Sequence, residues 1–163
     1  MRKKLGNINI GDKMKIKDII KYDFIVCDEN DLMIEIAKKM KEFNIGFMPI
    51  IKENDIVGVI TDRDICIYAA SNNDISNKVK NYMNTSIVYI DEEKSAKEAL
   101  ALMMKEKIKR LLVTRKNEVI GVLSLSDLLD KENEKIILKT IKTIFHKNKI
   151  VKQKEAEIDE FYL

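Results

Sequence analysis

Two short segments of the sequence carry the same polar side chains at the same spacing. Gly58–Asp64 reads Gly-Val-Ile-Thr-Asp-Arg-Asp, and Gly121–Asp127 reads Gly-Val-Leu-Ser-Leu-Ser-Asp. In each, a hydroxyl side chain (Thr61 or Ser124) precedes an aspartate by three residues, which is the spacing of a capping box at a helix N-terminus. Exposed N–H groups at a helix start can hold a phosphate, and a carboxylate there can accept hydrogen bonds from a ribose diol. The segments therefore indicate either a nucleotide site or simple helix capping.

The two segments belong to a longer internal repeat. A shift of 63 residues aligns the sequence with itself without a gap from Ile16/Val79 to Ile67/Asp130, and ten of the 52 aligned positions are identical. Many of the other positions exchange one apolar residue for another. A fixed period with apolar positions kept indicates one supersecondary unit used twice. We therefore expect the polar segment to occupy the same structural position in each copy.

The apolar spacing predicts a strand–helix–strand–strand–helix order for each copy, preceded by a short helix. The elements predicted for the first copy are helix 14–20, strand 24–27, a helix capped by Asp31, strands 47–51 and 56–60, and helix 62–70. Those predicted for the second copy are helix 79–83, strand 87–90, helix 96–106, strands 110–114 and 119–123, and a helix from Ser126. Pro49 predicts an edge strand or an irregular strand start, because proline cannot donate to a sheet. Both polar segments fall where the third strand ends and the last helix begins.

The repeat divides the chain into four parts. We expect a flexible leader over residues 1–13, repeat 1 over 14–72, repeat 2 over 73–130, and a helical, charged C-terminal extension over 131–163. Within the extension, residues 134–145 have the apolar spacing of an amphipathic helix. A solvated helix and a surface for a partner or an anion are both compatible with its many lysines.

The composition excludes several function classes. The chain is 45% apolar and 35% charged, has no apolar run near the ~20 residues that cross a bilayer, and lacks a signal-peptide core near its start. We therefore expect a cytoplasmic protein without a membrane partner.

The net charge of +3 is too small to indicate nucleic acid, and no aromatic residues interleave with the lysines. Only four of the 30 basic residues are arginines, and Arg63 and Arg110 lie beside the repeated segments, where arginine offers bidentate contacts.

The sequence contains no catalytic or metal-binding pattern. His146 is the single histidine, and no cysteine–histidine cluster has metal-ligand spacing. Cys27 and Cys66 have no counterpart in the other copy, and we expect both to be small buried apolar residues. Because no nucleophile–base pair is visible, we predict that the chain is not an enzyme.

On the two seven-residue segments and the repeated strand–helix order, the chain resembles a tandem pair of CBS (cystathionine-β-synthase-type) domains over residues 14–130. Further matches are Asn44-Ile45-Gly46 before Pro49-Ile50-Ile51, and Lys107-Ile108-Lys109-Arg110-Leu111. It is most similar to the small stand-alone CBS-pair proteins of bacteria. The resemblance implies an α+β fold of two CBS repeats packed with pseudo-twofold symmetry, and a homodimer, which we expect to use helix faces containing Ile34 and Ile65.

The resemblance also implies a ligand. Members of the family commonly hold adenosine compounds in two clefts between the repeats, so AMP, ADP or ATP is expected here, with S-adenosylmethionine or NAD as second choices and no required cofactor. The aspartates would bond ribose hydroxyls, the hydroxyl side chains would lie near phosphate or ribose, and Arg110 would contact phosphate. The nucleotide-binding residues that the resemblance implies are Thr61, Arg63, Asp64, Arg110, Ser124, Ser126 and Asp127.

Two departures from the family pattern carry expectations of their own. Leu112 stands where proline is frequent, which predicts a different start for that strand. Phe47 stands where repeat 2 has Arg110, which predicts two unequal clefts. The function expected is a regulatory module that senses an adenine nucleotide and signals to a partner protein that the sequence does not identify. The alternative is a ligand-free dimerisation or protein-interaction module.

Overall fold

The computed structural model describes residues 14–20, 22–72, 75–129 and 134–145. The predicted leader (1–13), His146 and the extension beyond residue 145 lie outside these residues. The elements, in chain order, are β1 (Cys27–Asp28), α1 (Met33–Glu42), β2 (Phe47–Lys52), β3 (Asp55–Thr61), α2 (Asp62–Asn72), β4 (Tyr89–Asp91), α3 (Ala96–Glu106), β5 (Arg110–Arg115), β6 (Glu118–Ser124) and α4 (Glu134–Phe145). Short 3-10 turns cover Ile16–Asp18, Val79–Asn81 and Ser126–Leu128. The predicted α+β class is confirmed.

The chain forms two compact units. Unit I comprises residues 22–72 and 75–89, and unit II comprises residues 14–20, 90–129 and 134–145. Each unit has a three-stranded sheet, in the order β1-β2-β3 or β4-β5-β6. The hairpins match residue for residue: Phe47 lies opposite Thr61 in one and Arg110 opposite Ser124 in the other, and each has a register irregularity at the equivalent place.

The first segment of each repeat belongs to the unit that contains most of the other repeat. In unit II, Ile16 N–H donates to Lys94 O (2.9 Å), and in unit I the equivalent Val79 N–H donates to Asp31 O (2.9 Å). Ile16 and Val79 are both fully buried. The predicted boundaries 14–72 and 73–130 follow the sequence repeat and stay a prediction, since the packed units begin at other residues.

Pro49 lies in the middle strand of its sheet, so the prediction of an edge strand is wrong. Its partner Val59 turns its N–H and C=O away from β2 and bonds Asn84 through both, each at 2.9 Å. β1 pairs with β2 only from Ile50 onward. Proline therefore removes no hydrogen bond from the sheet at this position, which is the condition under which a strand tolerates it.

The strand with Leu112 in place of this proline does not start differently, contrary to expectation. β5 begins at Arg110, the equivalent of Phe47 at the start of β2. Leu112 lies opposite Val122 just as Pro49 lies opposite Val59. The shared register, rather than the proline, fixes where the strand begins.

Several local predictions are also corrected. Asp31 does not cap α1, whose N-cap is Leu32; its carboxylate instead accepts a hydrogen bond from Lys39 Nζ at 3.0 Å. The helix predicted from Ser126 is only a 3-10 turn over Ser126–Leu128. The predicted helices 96–106 and 134–145 are observed with those bounds.

The core of unit I explains two further corrections. Ile65 is 5% exposed and packs in this core, so it cannot form the partner surface predicted for it, although Ile34 is 37% exposed.

Cys66 is exposed rather than buried, whereas Cys27 is buried as expected. Burial raises the pKa of the Cys27 thiol to about 12, so it stays protonated and behaves as an apolar residue. The buried core residues of unit I are Cys27, Met33, Ile36, Met40, Met48, Ile50, Ile60, Ile65 and Val79.

Gly58 on β3 allows Met83 to pack directly against the backbone. A Cβ atom added at Gly58 would lie 2.5 Å from Met83 Sδ and 2.8 Å from Met83 Cγ. We predict that Gly58→Ala lowers the free energy of unfolding by about 1–3 kcal/mol, because the added methyl overpacks a filled space. Urea denaturation of this variant, Met83→Ala and the double variant forms a cycle. The double variant is expected to lose less free energy of unfolding than the two single variants lose in sum. Losses that add to within about 0.5 kcal/mol would contradict this explanation.

Candidate functional site

The candidate site of unit I lies where β3 ends at Thr61 and α2 begins at Asp62. Asp64 Oδ2 accepts hydrogen bonds from Thr61 N–H (3.0 Å) and from the Thr61 hydroxyl (2.7 Å), and Asp64 N–H donates to Thr61 Oγ1 (3.2 Å). This is the reciprocal pattern of a capping box. The three bonds fix the rotamers of both side chains.

Unit II repeats the arrangement after β6. Asp127 Oδ2 accepts from Ser124 N–H (2.8 Å) and from the Ser124 hydroxyl, and Asp127 N–H donates to Ser124 Oγ (3.3 Å). Ser126 adds a fourth contact, with its Oγ 2.7 Å from Ser124 Oγ. The capping-box spacing is therefore realised in both copies, and Ser126 lies directly beside the pair.

Each aspartate has an oxygen that the capping box does not use. In the part of the chain that the structure describes, no group donates a hydrogen bond to Oδ1 of Asp64 or of Asp127. Both residues are half-buried, and the second oxygen of each carboxylate keeps acceptor capacity that no described residue uses. A carboxylate accepts through both oxygens, which means that capping and ligand binding do not compete for the same atom.

Helix capping alone accounts for the pattern in unit I better than in unit II. The capping box of Asp64 begins an α-helix of 11 residues, whereas that of Asp127 begins a 3-10 turn of three residues. Few backbone N–H groups need a cap at so short a turn. The same hydrogen bonds are nevertheless made, so the site in unit II has a feature that helix stability does not require.

An acidic group borders the site in unit I. The carboxylate of Asp62 lies against Gly46, where an added Cβ would be 2.6 Å from Asp62 Oδ2. Asp62 Oδ1 also accepts from Arg63 N–H (2.7 Å). The guanidinium of Arg63 is exposed and has no hydrogen-bond partner among the residues that the structure describes.

At the positions equivalent to Gly46 and Asp62, unit II has one basic residue and one apolar residue. Lys109 replaces Gly46, and Leu125 replaces Asp62, while the backbone bond between the two positions is kept, with Leu125 N–H donating to Lys109 O (2.8 Å). Lys109 Nζ lies 4.0 Å from the centroid of the Phe145 ring at the end of α4, a cation–π distance. Arg110 follows Lys109 and lies opposite Ser124 in the hairpin.

The two copies of the site consequently carry charges of opposite sign. The site segments of unit I contain Asp62, Arg63 and Asp64, whereas those of unit II contain Lys109, Arg110 and Asp127. The sequence analysis identified Arg110 but missed Asp62, Lys109 and Phe145. A comparison of charge at aligned positions would have found the first two, but nothing in the repeat predicts the contact with Phe145, because α4 lies beyond it.

The structure groups the predicted site residues by unit: Thr61, Arg63 and Asp64 in unit I, and Arg110, Ser124, Ser126 and Asp127 in unit II. Their roles in binding stay a prediction. Within residues 14–20, 22–72, 75–129 and 134–145, no three or more His, Cys, Asp or Glu side chains form a group that could hold a metal ion. None of the helices described is long and apolar enough to span a bilayer. The prediction that the chain is not an enzyme also remains a prediction.

The chain belongs to the CBS domain family, since the CBS domain matches residues 16–71 and 79–134. The resemblance to a tandem CBS pair is thereby confirmed. Among relatives in sequence, the uncharacterized protein YlbB of Bacillus subtilis is 34% identical over 117 residues, which are 70% of this chain and 79% of that protein.

Solved structures of CBS proteins share the fold. The CBS domain protein TA0289 of Thermoplasma acidophilum, of unknown function, superposes with a TM-score of 0.74 at 19% identity and covers 83% of this chain and 78% of its own. The CBS domain pair of protein MJ0100 superposes with a TM-score of 0.65 at 25% identity, covering 72% of this chain and 94% of its own. That structure is a complex with 5′-methylthioadenosine and S-adenosyl-L-methionine.

The two capping boxes predict unequal effects on stability. Asp64→Ala removes the carboxylate of the capping box at the start of an 11-residue helix, so the Thr61 N–H and hydroxyl lose their acceptor, and the free energy of unfolding is expected to fall by about 0.5–1.5 kcal/mol. Asp127→Ala removes the equivalent carboxylate beside a turn of only three residues and is expected to cost less. Urea denaturation measures both, with Arg63→Ala as an exposed control on the same turn, expected within about 0.5 kcal/mol of the parent. A larger loss for Asp127→Ala than for Asp64→Ala would contradict the assignment.

Proposed function

We propose that this chain is a regulatory CBS-pair module that binds an adenosine compound. The observation that carries the proposal is the repeated aspartate, Asp64 or Asp127, whose Oδ2 is held by a capping box while Oδ1 is left to a ligand. A ribose diol donates the hydrogen bonds that such a carboxylate accepts, and a charged acceptor makes them stronger than neutral pairs. The adenosine compounds bound by the MJ0100 pair support the ligand class.

The capping box prepares the carboxylate for this role. Asp127 is held by Ser124, and Asp64 by Thr61, before any ligand arrives, so binding does not have to order the side chain. Ordering a rotamer-rich side chain at an interface costs about 0.5–1.5 kcal/mol. The hydroxyls of Thr61, Ser124 and Ser126 lie beside the carboxylates and offer further donors or acceptors to ribose or phosphate.

The charges around the two aspartates favour different ligands. Phosphate carries negative charge and needs nearby cations to offset its desolvation. Lys109 and Arg110 provide them in unit II, whereas Asp62 opposes them in unit I. We therefore expect AMP, ADP or ATP at the unit II residues, with S-adenosylmethionine or NAD as second choices, and weaker or phosphate-indifferent binding at the unit I residues.

The contact of Lys109 with Phe145 connects the nucleotide-binding residues proposed in unit II to the C-terminal end of α4. A phosphate beside Arg110 attracts the neighbouring ammonium of Lys109, which otherwise lies over the Phe145 ring. α4 packs against α3, and its Ile137 and Thr140 are buried whereas its Leu138 is exposed. A change at Phe145 would alter the end of this helix, and we propose α4 as the element that a regulated protein reads.

A second candidate function is a ligand-free dimerisation or protein-interaction module. It is favoured by apolar side chains that remain exposed on the helices, among them Ile34 (37%), Ile67 (50%) and Leu138 (52%). A homodimer is compatible with both functions and is proposed for both. Ligand binding, not oligomeric state, is therefore the measurement that separates them.

A thermal-shift screen with AMP, ATP, NAD and S-adenosylmethionine tests the proposal. At least one compound is expected to raise Tm, because a ligand that binds only the folded state stabilises it. Asp127→Ala is expected to weaken binding by about 1.5–3 kcal/mol, the range for a hydrogen bond to a charged group, in calorimetric titration of the folded variant. If no compound raises Tm, the second candidate function is preferred. If Asp127→Ala binds a compound as tightly as the parent does, Asp127 is not part of the binding site.

Unequal sites form a separate prediction. Arg110→Ala is expected to reduce the affinity for AMP and ATP but not for adenosine, because only the phosphate needs the guanidinium. The affinity of the parent for ATP is expected to fall with added salt, which screens these exposed charges. Arg63→Ala is the matched control, since Arg63 lies beside Asp62. Calorimetric titration that finds two equal sites, both unaffected by Arg110→Ala, would contradict this prediction.

A further inference from the structure

In unit II, two lysines hold one carboxylate at the start of the repeat. Lys15 Nζ lies 2.5 Å from Glu93 Oε2, and Lys17 Nζ lies 2.8 Å from Glu93 Oε1. Each ammonium therefore donates a hydrogen bond to a different oxygen of the Glu93 carboxylate. The bonds from Lys15 and Lys17 lower the pKa of Glu93 to about 2, and the bond to Glu93 raises the pKa of Lys17. Both directions are those of a stabilised ion pair.

In unit I, the equivalent two lysines meet a neutral amide. Lys80 Nζ lies 3.1 Å from Asn30 Oδ1, and Lys78 Nζ lies 3.5 Å from the same oxygen. Among the residues that the structure describes, no carboxylate lies within ion-pair distance of either ammonium. Two positive charges thus converge on one uncharged oxygen, although like charges repel at this range.

The backbone around the lysines is the same in both units. Lys80 N–H donates to Glu29 O (3.1 Å), as Lys17 N–H donates to Glu92 O (3.0 Å). The turn that holds Asn30 is also repeated: Asn30 N–H donates to Asp28 Oδ1 at 2.9 Å, and Glu93 N–H donates to Asp91 Oδ1 at 2.8 Å. The difference between the units is therefore one of side chain, amide against carboxylate, in a matched frame.

The neighbouring charges do not compensate for the missing carboxylate. Glu29 pairs with Lys52 at 3.6 Å, and Glu92 makes the equivalent pair with Arg115. Asp28 has its counterpart in Asp91, and it accepts a second bond from Asn30 Nδ2 (3.1 Å). This bond turns Asn30 Oδ1, rather than its NH2 group, toward the two lysines.

We propose that Lys78, Lys80 and Asn30 form a binding site for a small oxyanion, a phosphate or carboxylate group that bridges the two ammonium groups as the Glu93 carboxylate does in unit II. Each ammonium has three donors and gives only one to Asn30. All three residues are exposed, so the site is weak and sensitive to salt. It uses none of the residues proposed to bind the adenosine compound, and it stands or falls independently of that function.

The test is an NMR titration of the isotope-labelled full chain with inorganic phosphate, at constant ionic strength maintained with sodium chloride. Saturable shifts are expected at the side-chain signals of Lys78, Lys80 and Asn30, and not at those of Lys15 and Lys17. A parallel titration with acetate distinguishes a site for phosphate from a site for carboxylate. Saturation by either anion supports the site, and the tighter of the two identifies its chemistry.

Two reciprocal variants make the test specific. Asn30→Glu supplies an internal carboxylate, as in unit II, and is expected to weaken anion binding at Lys78 and Lys80 by at least about tenfold. Glu93→Asn is expected to create saturable shifts at Lys15 and Lys17. Should Asn30→Glu fail to give a folded spectrum, Lys80→Gln replaces it, with the same loss expected.

Three outcomes would overturn the proposal. The first is that neither anion produces saturable shifts in the parent. The second is that Lys15 and Lys17 respond as strongly as Lys78 and Lys80. The third is that Asn30→Glu, or Lys80→Gln in its place, binds both anions as the parent does.

Discussion

The structure depends on an exchange between the repeats, in which the first segment of each packs in the unit formed mostly by the other. Ile16 and Val79 are both fully buried, and Val79 packs in the core of unit I. Their backbone N–H groups are bonded there as well, to Lys94 O and Asp31 O. Burying an aliphatic side chain of this size stabilises a fold by about 1.5–3 kcal/mol. Each unit therefore needs a part of the chain that the sequence repeat assigns to the other copy.

This shared frame lets the two units differ in charge without differing in backbone. The hairpins keep the same register, and the turns at Asn30 and Glu93 keep the same hydrogen bonds. Charge changes instead at exposed or half-buried positions, as in Gly46 against Lys109. Side chains at such positions contribute little to the core, so substitutions there change the local charge at small cost in stability.

The sequence predicted the fold well because the repeat reports on a whole unit at once, and α3 was predicted with its observed bounds. The predictions were wrong where the environment of a residue depends on a neighbouring residue that the sequence periodicity does not identify. Pro49 is tolerated in a middle strand because Val59 bonds Asn84 instead. Ile65 and Cys66 are adjacent in α2, and only packing decides that the first is buried and the second exposed. The candidate site was incomplete for the same reason, because Phe145 reaches Lys109 from outside the repeat.

Capping and ligand binding, which the sequence presents as alternatives, are compatible in this geometry. Asp127 Oδ2 is bonded to Ser124, and Oδ1 is not used by any described residue. Without the capping box, the side chain would sample several rotamers, and a ligand would have to select one of them at a cost in entropy. The three-residue turn that follows needs little capping, so the capping box of Asp127 is consistent with the binding role proposed for it. In unit I the same bonds also begin a long helix, so Asp64 serves stability to a greater degree than Asp127, and the proposed binding role is more separable from folding in unit II.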